Sequence, residues 1–203
     1  MRDRRRMGGD GVDKELDTQQ LIDLLAKFDK LKKIKRQTFV SEREIRENDA
    51  EHSWHTMMWF LLLSDRFDGD VDVEKILIML LIHDLPEIYA GDKLIFKKTR
   101  EDEEKEFQSA VQIFSEFPQP LGKRLFKIWH EFEEEETEEA KIAQAMDKAQ
   151  PMLQNVLTSG RAWRRNSVTV GQVEDHKKRY MKFNATLYSI YENLMKKARR
   201  YLK

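Results

Sequence analysis

The chain has 203 residues, 40% of them hydrophobic and 36% charged, which fits one soluble globular domain with a sizeable core. Lysine plus arginine equals aspartate plus glutamate at 37 each, so no overall field favours nucleic acid or an anionic membrane. The absence of cysteine excludes disulfides, thiolate catalysis and cysteine zinc sites, and fits a reducing, cytoplasmic compartment.

Arg2, Arg4, Arg5 and Arg6 are followed by Gly8-Gly9-Asp10-Gly11 where a signal peptide would turn apolar. Residues 1–15 are therefore expected to form a flexible tail, and residues 16–203 the folded domain. With only 8 glycines and 4 prolines, helical periodicity dominates and strand patterns are nearly absent. Thr18 is expected to cap a helix with the apolar stripe Leu21, Leu24, Leu25, Phe28 and Leu31. Residues 32–47 are basic and poorly periodic, as a loop would be. Asn48 followed by Glu51 resembles a capping box that opens a helix carrying His52, His55, Trp59 and Leu62.

Asp72 precedes the run Ile76-Leu77-Ile78-Met79-Leu80-Leu81-Ile82, a buried helix too short to span a bilayer, which Pro86 interrupts. Thr99 and Asp102 open a fourth helix with Phe107, Ala110, Val111, Phe114 and Phe117 inward. A helix after Pro118-Gln119-Pro120 buries Leu121, Leu125, Ile128 and Trp129. Thr137 caps a helix through Ile142, Met146, Ala149 and Leu153. Residues 158–172 read as a basic, turn-rich connector, and one final helix uses Val173, Tyr180, Leu187 and Leu194. The predicted fold is all-α and single-domain.

His83 and Asp84, adjacent at the end of the most apolar run, are the most informative pair. Burying both costs several kcal/mol unless something compensates, and a metal ion is a common compensator for neighbouring imidazole and carboxylate. His52 and Asp147, on two other apolar-periodic segments, are further candidate ligands. Mixed imidazole and carboxylate ligation suits a divalent transition metal with positions left open for water, and the four-residue set points to a metal-dependent hydrolase. Pro86 lets Glu87 start a new direction near the site, making Glu87 a candidate general acid or base. Asp92, just past Gly91, is a candidate substrate-orienting or proton-shuttling carboxylate.

Each residue also has a plainer reading. A lone His52 fits a hydrogen-bonded core histidine, and Asp147 fits an ion pair with Lys148 or Lys141. His55 shares a face with His52. Trp54 and Trp59 read as core aromatics, Glu133 to Glu136 as a solvated helix end, and His130 and His176 have no converging partners.

The strings Glu51-His52-Ser53-Trp54, His83-Asp84-Leu85-Pro86-Glu87-Ile88-Tyr89-Ala90-Gly91-Asp92 and Met146-Asp147-Lys148 resemble the HD-domain phosphohydrolases, most of all their 5′-deoxynucleotidase branch. The order H…HD…D matches, with 31 residues from His52 to His83 and 63 from Asp84 to Asp147. The resemblance covers about residues 18–195. It implies an HD-domain helical bundle in which His52, His83, Asp84 and Asp147 hold one divalent ion such as Co2+ or Mn2+. It further implies that Glu87 is catalytic and that Asp92 stands near the nucleotide sugar or the attacking water. Lys35-Arg36-Gln37-Thr38-Phe39 occupies the segment where the family carries an arginine and then a tryptophan that hold the nucleotide. Arg36 matches the arginine; the tryptophan is absent, with Phe39 standing nearest.

The implied activity is hydrolysis of (deoxy)nucleoside 5′-monophosphates, with a small-molecule nucleotide as partner, no nucleic acid or membrane, and a homodimer as one assembly to test. Two alternatives stand beside it. One is an HD hydrolase of another phosphate ester or signalling nucleotide; the other is a non-catalytic, metal-stabilised helical module whose basic loops engage RNA or protein.

Overall fold

The computed structural model describes residues 16–203 apart from 42, 43, 68, 95 and 97. The tail expected over residues 1–15 lies outside them. The architecture is a helical bundle with one small hairpin. Its elements in chain order are α1 (Thr18–Phe28), β1 (Lys35–Phe39), β2 (Arg46–Asn48), α2 (Asp49–Leu63), α3 (Val73–Ile82) and α4 (Glu87–Ala90). These are followed by α5 (Arg100–Ser115), α6 (Leu121–Glu134), α7 (Glu138–Leu157), α8 (Arg161–Arg165), α9 (Val170–Met181) and α10 (Ala185–Ala198).

Helix α7 is the hub, packing against α2, α3, α6, α9 and α10. Ala140, Ala143, Ala145 and Ala149 are fully or almost fully buried along it, and small side chains let several neighbours approach one helix. Ile76, Met79, Leu80, Phe60, Phe114, Trp129 and Met146 complete the core around it. The helix starts follow the expected chemistry. Asn48 and Thr99 close capping boxes with Glu51 and Asp102, while Asp72 and Thr137 accept from the backbone N–H of Lys75 and Ala140.

Several expectations are corrected. The cap of α1 is Asp17, which forms a capping box with Gln20; an aspartate outranks a threonine there. Of its apolar stripe Leu24 is buried, and so is Leu31 in the 3₁₀ turn that follows, whereas Leu21 is exposed and Leu25 is 68% exposed. Leu62 (79%) and Trp54 (61%) also face outward on α2, so Trp54 is not a core aromatic, whereas Trp59 packs partly buried against the core. The final helix is two, because Asn184 accepts from the N–H groups of Thr186 and Leu187 and so starts α10 afresh. The connector 158–172 contains α8.

The segment 32–47 is a 3₁₀ turn followed by the strands of an antiparallel hairpin, in which Lys35 pairs with Asn48 and Phe39 with Arg46. Strands of five and three residues are too short, and too mixed in composition, to leave a period-2 signature. Phe39 anchors the hairpin: Gln154 of α7 donates to its carbonyl at 2.6 Å, and the guanidinium groups of Arg161 and Arg165 cover its ring at 5.1 and 4.9 Å.

Candidate metal centre and its cavity

Three helices deliver the predicted ligand set. His52 sits in the first turn of α2, His83 and Asp84 at the C-terminal end of α3, and Asp147 midway along α7. One donor atom from each of His52, His83 and Asp84 lies within 4.8 Å of the others. Asp147 joins them through Oδ1, 2.9 Å from His52 Nε2 and 3.7 Å from His83 Nε2. Its other oxygen accepts from Lys148 at 2.5 Å, the ion pair that the plainer reading of Asp147 expected.

The imidazole tautomers are set from behind. His83 Nδ1 donates to the Leu80 carbonyl at 3.0 Å, which turns Nε2 toward the carboxylates. That Nε2 is buried and has no hydrogen-bond partner. His52 Nδ1 stands 2.9 Å from Gln150 Oε1, and the Gln150 amide nitrogen donates to Glu47 at 2.6 Å. Because Glu47 accepts, the amide cannot flip without facing oxygen to oxygen, so Nδ1 of His52 carries the proton and Nε2 presents a lone pair. Thr38 donates to the other Glu47 oxygen at 2.6 Å, tying the hairpin into this chain of bonds. Trp129 Nε1 donates to the His83 carbonyl at 3.2 Å and fixes the end of α3.

These residues fit a divalent cation. Two imidazole lone pairs and two carboxylates converge, one nitrogen is orphaned, and the donor set is of the mixed nitrogen and oxygen kind that transition metals take. Burial opposes the charged form of both His83 and Asp84. Asp84 and Asp147 nevertheless hold His83 above its ordinary value, and His83, Arg36 and His52 hold Asp84 below the usual carboxylate range.

A second cluster of acids borders the first. Oxygens of Asp49, Asp84 and Glu87 lie within 4.8 Å of one another. Gly91, at φ 77°, ends α4 in a conformation that side chains rarely adopt, and the chain turns there to bring Asp92 to the same cavity. Asp49 Oδ2, Glu87 Oε2 and Asp92 Oδ2 are all buried without partners. Burial, then the neighbouring carboxylates, pushes Asp49 up to about 7 and Glu87 well above its usual range. Burial also raises Asp92. Arg36, on β1, places Nη1 2.7 Å from Asp84 Oδ2 and 3.2 Å from Asp49 Oδ1, leaving its other guanidinium nitrogens for further bonds.

Arg36, Asp84, Glu87, Asp92 and Asp147 all line one cavity of about 640 Å³. Phe96, Glu133, Lys177 and Tyr180 are among its other lining residues. The run Glu133 to Glu135 is therefore cavity wall and not merely a solvated helix end: Glu135 accepts from the Tyr180 hydroxyl at 2.8 Å, and burial raises Glu133 to about 7. His55 stays apart from the cluster, its Nδ1 3.2 Å from the Gln150 amide nitrogen. Lys35 is exposed and Lys93 pairs with Asp102, while Arg43 and Lys97 lie outside the described residues.

Sequence reasoning missed Asp49, Glu47 and Gln150. Asp49 reads as an ordinary acid in a first helical turn. Gln150 carries one signal: it lies three positions after Asp147 and so shares its face of α7.

Comparisons with known proteins agree with this geometry. A family model described as an HD domain matches residues 28–187. The 5′-deoxynucleotidase HDDC2 of Dictyostelium discoideum is 30% identical over 133 residues, covering 62% of this chain and 70% of that protein. The Homo sapiens protein of the same name is 26% identical over 140 residues, covering 67% of each. A crystal structure from Magnetospirillum magnetotacticum MS-1, described as a predicted metal-dependent phosphohydrolase, superposes with a TM-score of 0.83 at 35% identity, covering 91% of this chain and 97% of that one. The chain belongs to the HD-domain family, and it is a hydrolase.

Proposed function

We propose that this chain is a metal-dependent phosphomonoesterase that converts deoxynucleoside 5′-monophosphates to nucleoside and phosphate. The observation that carries the reading is the convergence of His52, His83, Asp84 and Asp147, with a buried nitrogen left unpartnered, at the side of a cavity that also holds Arg36, Glu87 and Asp92. The names borne by the relatives support the substrate class.

His52, His83, Asp84 and Asp147 would hold one divalent ion, with Co2+ and Mn2+ the first candidates. Bound there, such an ion supplies Lewis acidity toward a phosphoryl oxygen and acidifies water. Arg36 meets the phosphate through the guanidinium nitrogens that Asp84 and Asp49 leave free, and neutralises charge that grows on the phosphoryl oxygens. Glu87, whose carboxyl stands beside those of Asp84 and Asp49, serves as the acid that protonates the leaving 5′ oxygen. Asp92, lining the same cavity, orients the sugar or the attacking water.

A panel of substrates tests this: deoxy- and ribonucleoside 5′-monophosphates, p-nitrophenyl phosphate and cyclic dinucleotides, each with Mn2+ and Co2+. Phosphate release fastest from deoxynucleoside monophosphates is expected. Preferential cleavage of a cyclic dinucleotide would move the chain to another HD activity, and no turnover of any substrate would leave a metal-stabilised binding module.

A further inference from the structure

Among the described residues six cations line the cavity, and every one but Lys177 has a carboxylate partner. Arg36 is bonded to Asp84 and Asp49, and Lys148 to Asp147 with its ammonium 5.6 Å from the centre of the Tyr180 ring. Lys177, on α9, is different. Among the described residues no carboxylate lies within 4.0 Å of it, and the charged groups whose fields reach it are Lys148, Asp147 and Arg36. The ammonium thus lines the same cavity as Asp147, within reach of its field, without a carboxylate partner of its own. Folding gains nothing from such an arrangement, because an unpaired cation in a concave wall loses hydration and gains no ion pair.

We propose that Lys177 is a second phosphate-binding cation, meeting the substrate's phosphate dianion from α9 while Arg36 meets it from β1. The proposal rests on the phosphomonoesterase reading, and charge is its reason. Asp84, Glu87, Asp92 and Asp147 line the cavity with Asp49 buried beside Asp84 and Glu87, and a phosphate dianion entering it would meet carboxylates first. Arg36 and Lys148 have most of their charge absorbed by that cluster, so a cation held outside it is what attracts the anion. Burial, and then Lys148, pushes Lys177 down to about 7, and an arriving dianion reverses that pressure by favouring the charged ammonium. The neighbouring His176 adds a second polar group without a partner: its Nε2 is buried and unbonded, in a ring held between Phe96 at 5.8 Å and Tyr180 at 5.9 Å.

The test uses the full chain loaded with Mn2+, the variants Lys177→Gln, Lys177→Met and Lys177→Arg, and inorganic phosphate as the ligand, titrated calorimetrically. Loss of one charge-assisted contact should weaken phosphate binding by about ten- to a hundred-fold in Lys177→Gln and Lys177→Met. Lys177→Arg should keep most of it. With the best nucleotide, KM should rise more than kcat falls, since the contact is made before and during the reaction. Metal content should stay at the wild-type level and the melting midpoint should hold or rise, because an unpaired cation has been removed; a merely structural lysine would lower it. Lys177→Met keeps the apolar stem and guards against a folding defect in Lys177→Gln. Wild-type phosphate affinity in both neutral variants overturns the proposal. If the wild type binds phosphate but hydrolyses no monoester, the activity reading fails while the phosphate titration still decides the role of Lys177. If the wild type binds no phosphate, the proposal fails with the reading it rests on.

Discussion

The two ends of the cavity are built differently. At the metal end His52, His83, Asp84 and Asp147 come from α2, α3 and α7, long helices that share the main core, and all four residues are buried. Their imidazoles are fixed by Leu80 and Gln150 and their scaffold by Trp129. At the substrate-facing end Arg36 comes from a five-residue strand, Asp92 from a turn and Lys177 from a helix late in the chain; Asp92 Oδ2 is buried without a hydrogen-bond partner, and among the described residues no carboxylate lies within 4.0 Å of Lys177. A rigid end suits a group that must be held in one geometry throughout. An end with unspent hydrogen-bonding capacity suits a molecule that comes and goes.

The difference should show first at the metal end. His83→Ala or Asp84→Ala is expected to abolish both metal retention and phosphate release, and to lower the melting temperature, because a bound ion stabilises the folded state by mass action. Metal analysis and a thermal scan check this, and an active, metal-free His83→Ala protein would break the comparison outright.

Glu87→Ala lies on the border between the two ends and should lower kcat by about 10² to 10⁴, the usual range for a lost acid–base group, with metal content near wild type. Loss of the ion, with the rate restored on resupply, would move Glu87 into the ligand set. Behind the ligands, Gln150→Leu removes the acceptor that orients His52 and is expected to weaken metal affinity about 10- to 100-fold, read by competition with a chelating dye. Unchanged affinity would mean that packing alone orients His52. The smallest effect is expected from Asn48→Ala, which removes the cap of α2, at about 1 kcal/mol in a denaturant titration and with kcat little changed.

The same contrast explains what could be read from the sequence. The metal end was legible because it rides on helices: a seven-residue apolar run ending in His83-Asp84, a capping box before His52 and a hydrophobic period around Asp147 each leave a local pattern. The hairpin left none, since its buried residues come as the consecutive pairs Thr38-Phe39 and Glu47-Asn48, without alternation, and the pairing partner is seven or more residues away. Glu47 and Gln150, 103 residues apart, meet only once α7 lies against α2, and Lys177 stands out only when the partners of Arg36 and Lys148 are known. Unpaired charge is a property of three-dimensional neighbourhoods. The exposed Trp54 makes the same point in reverse: its type suggests the core, and its place on the outer face of α2 decides otherwise.

The central claim is that four side chains from three helices form one cation site. The most direct measurement is the metal content, by mass spectrometry, of wild-type and Asp147→Ala protein purified without chelator and then equilibrated with Mn2+ or Co2+. The account predicts close to one tightly held divalent ion per wild-type chain and a small fraction of that in the variant. A wild-type protein that retains no ion, or an Asp147→Ala protein that retains a full complement, would contradict it.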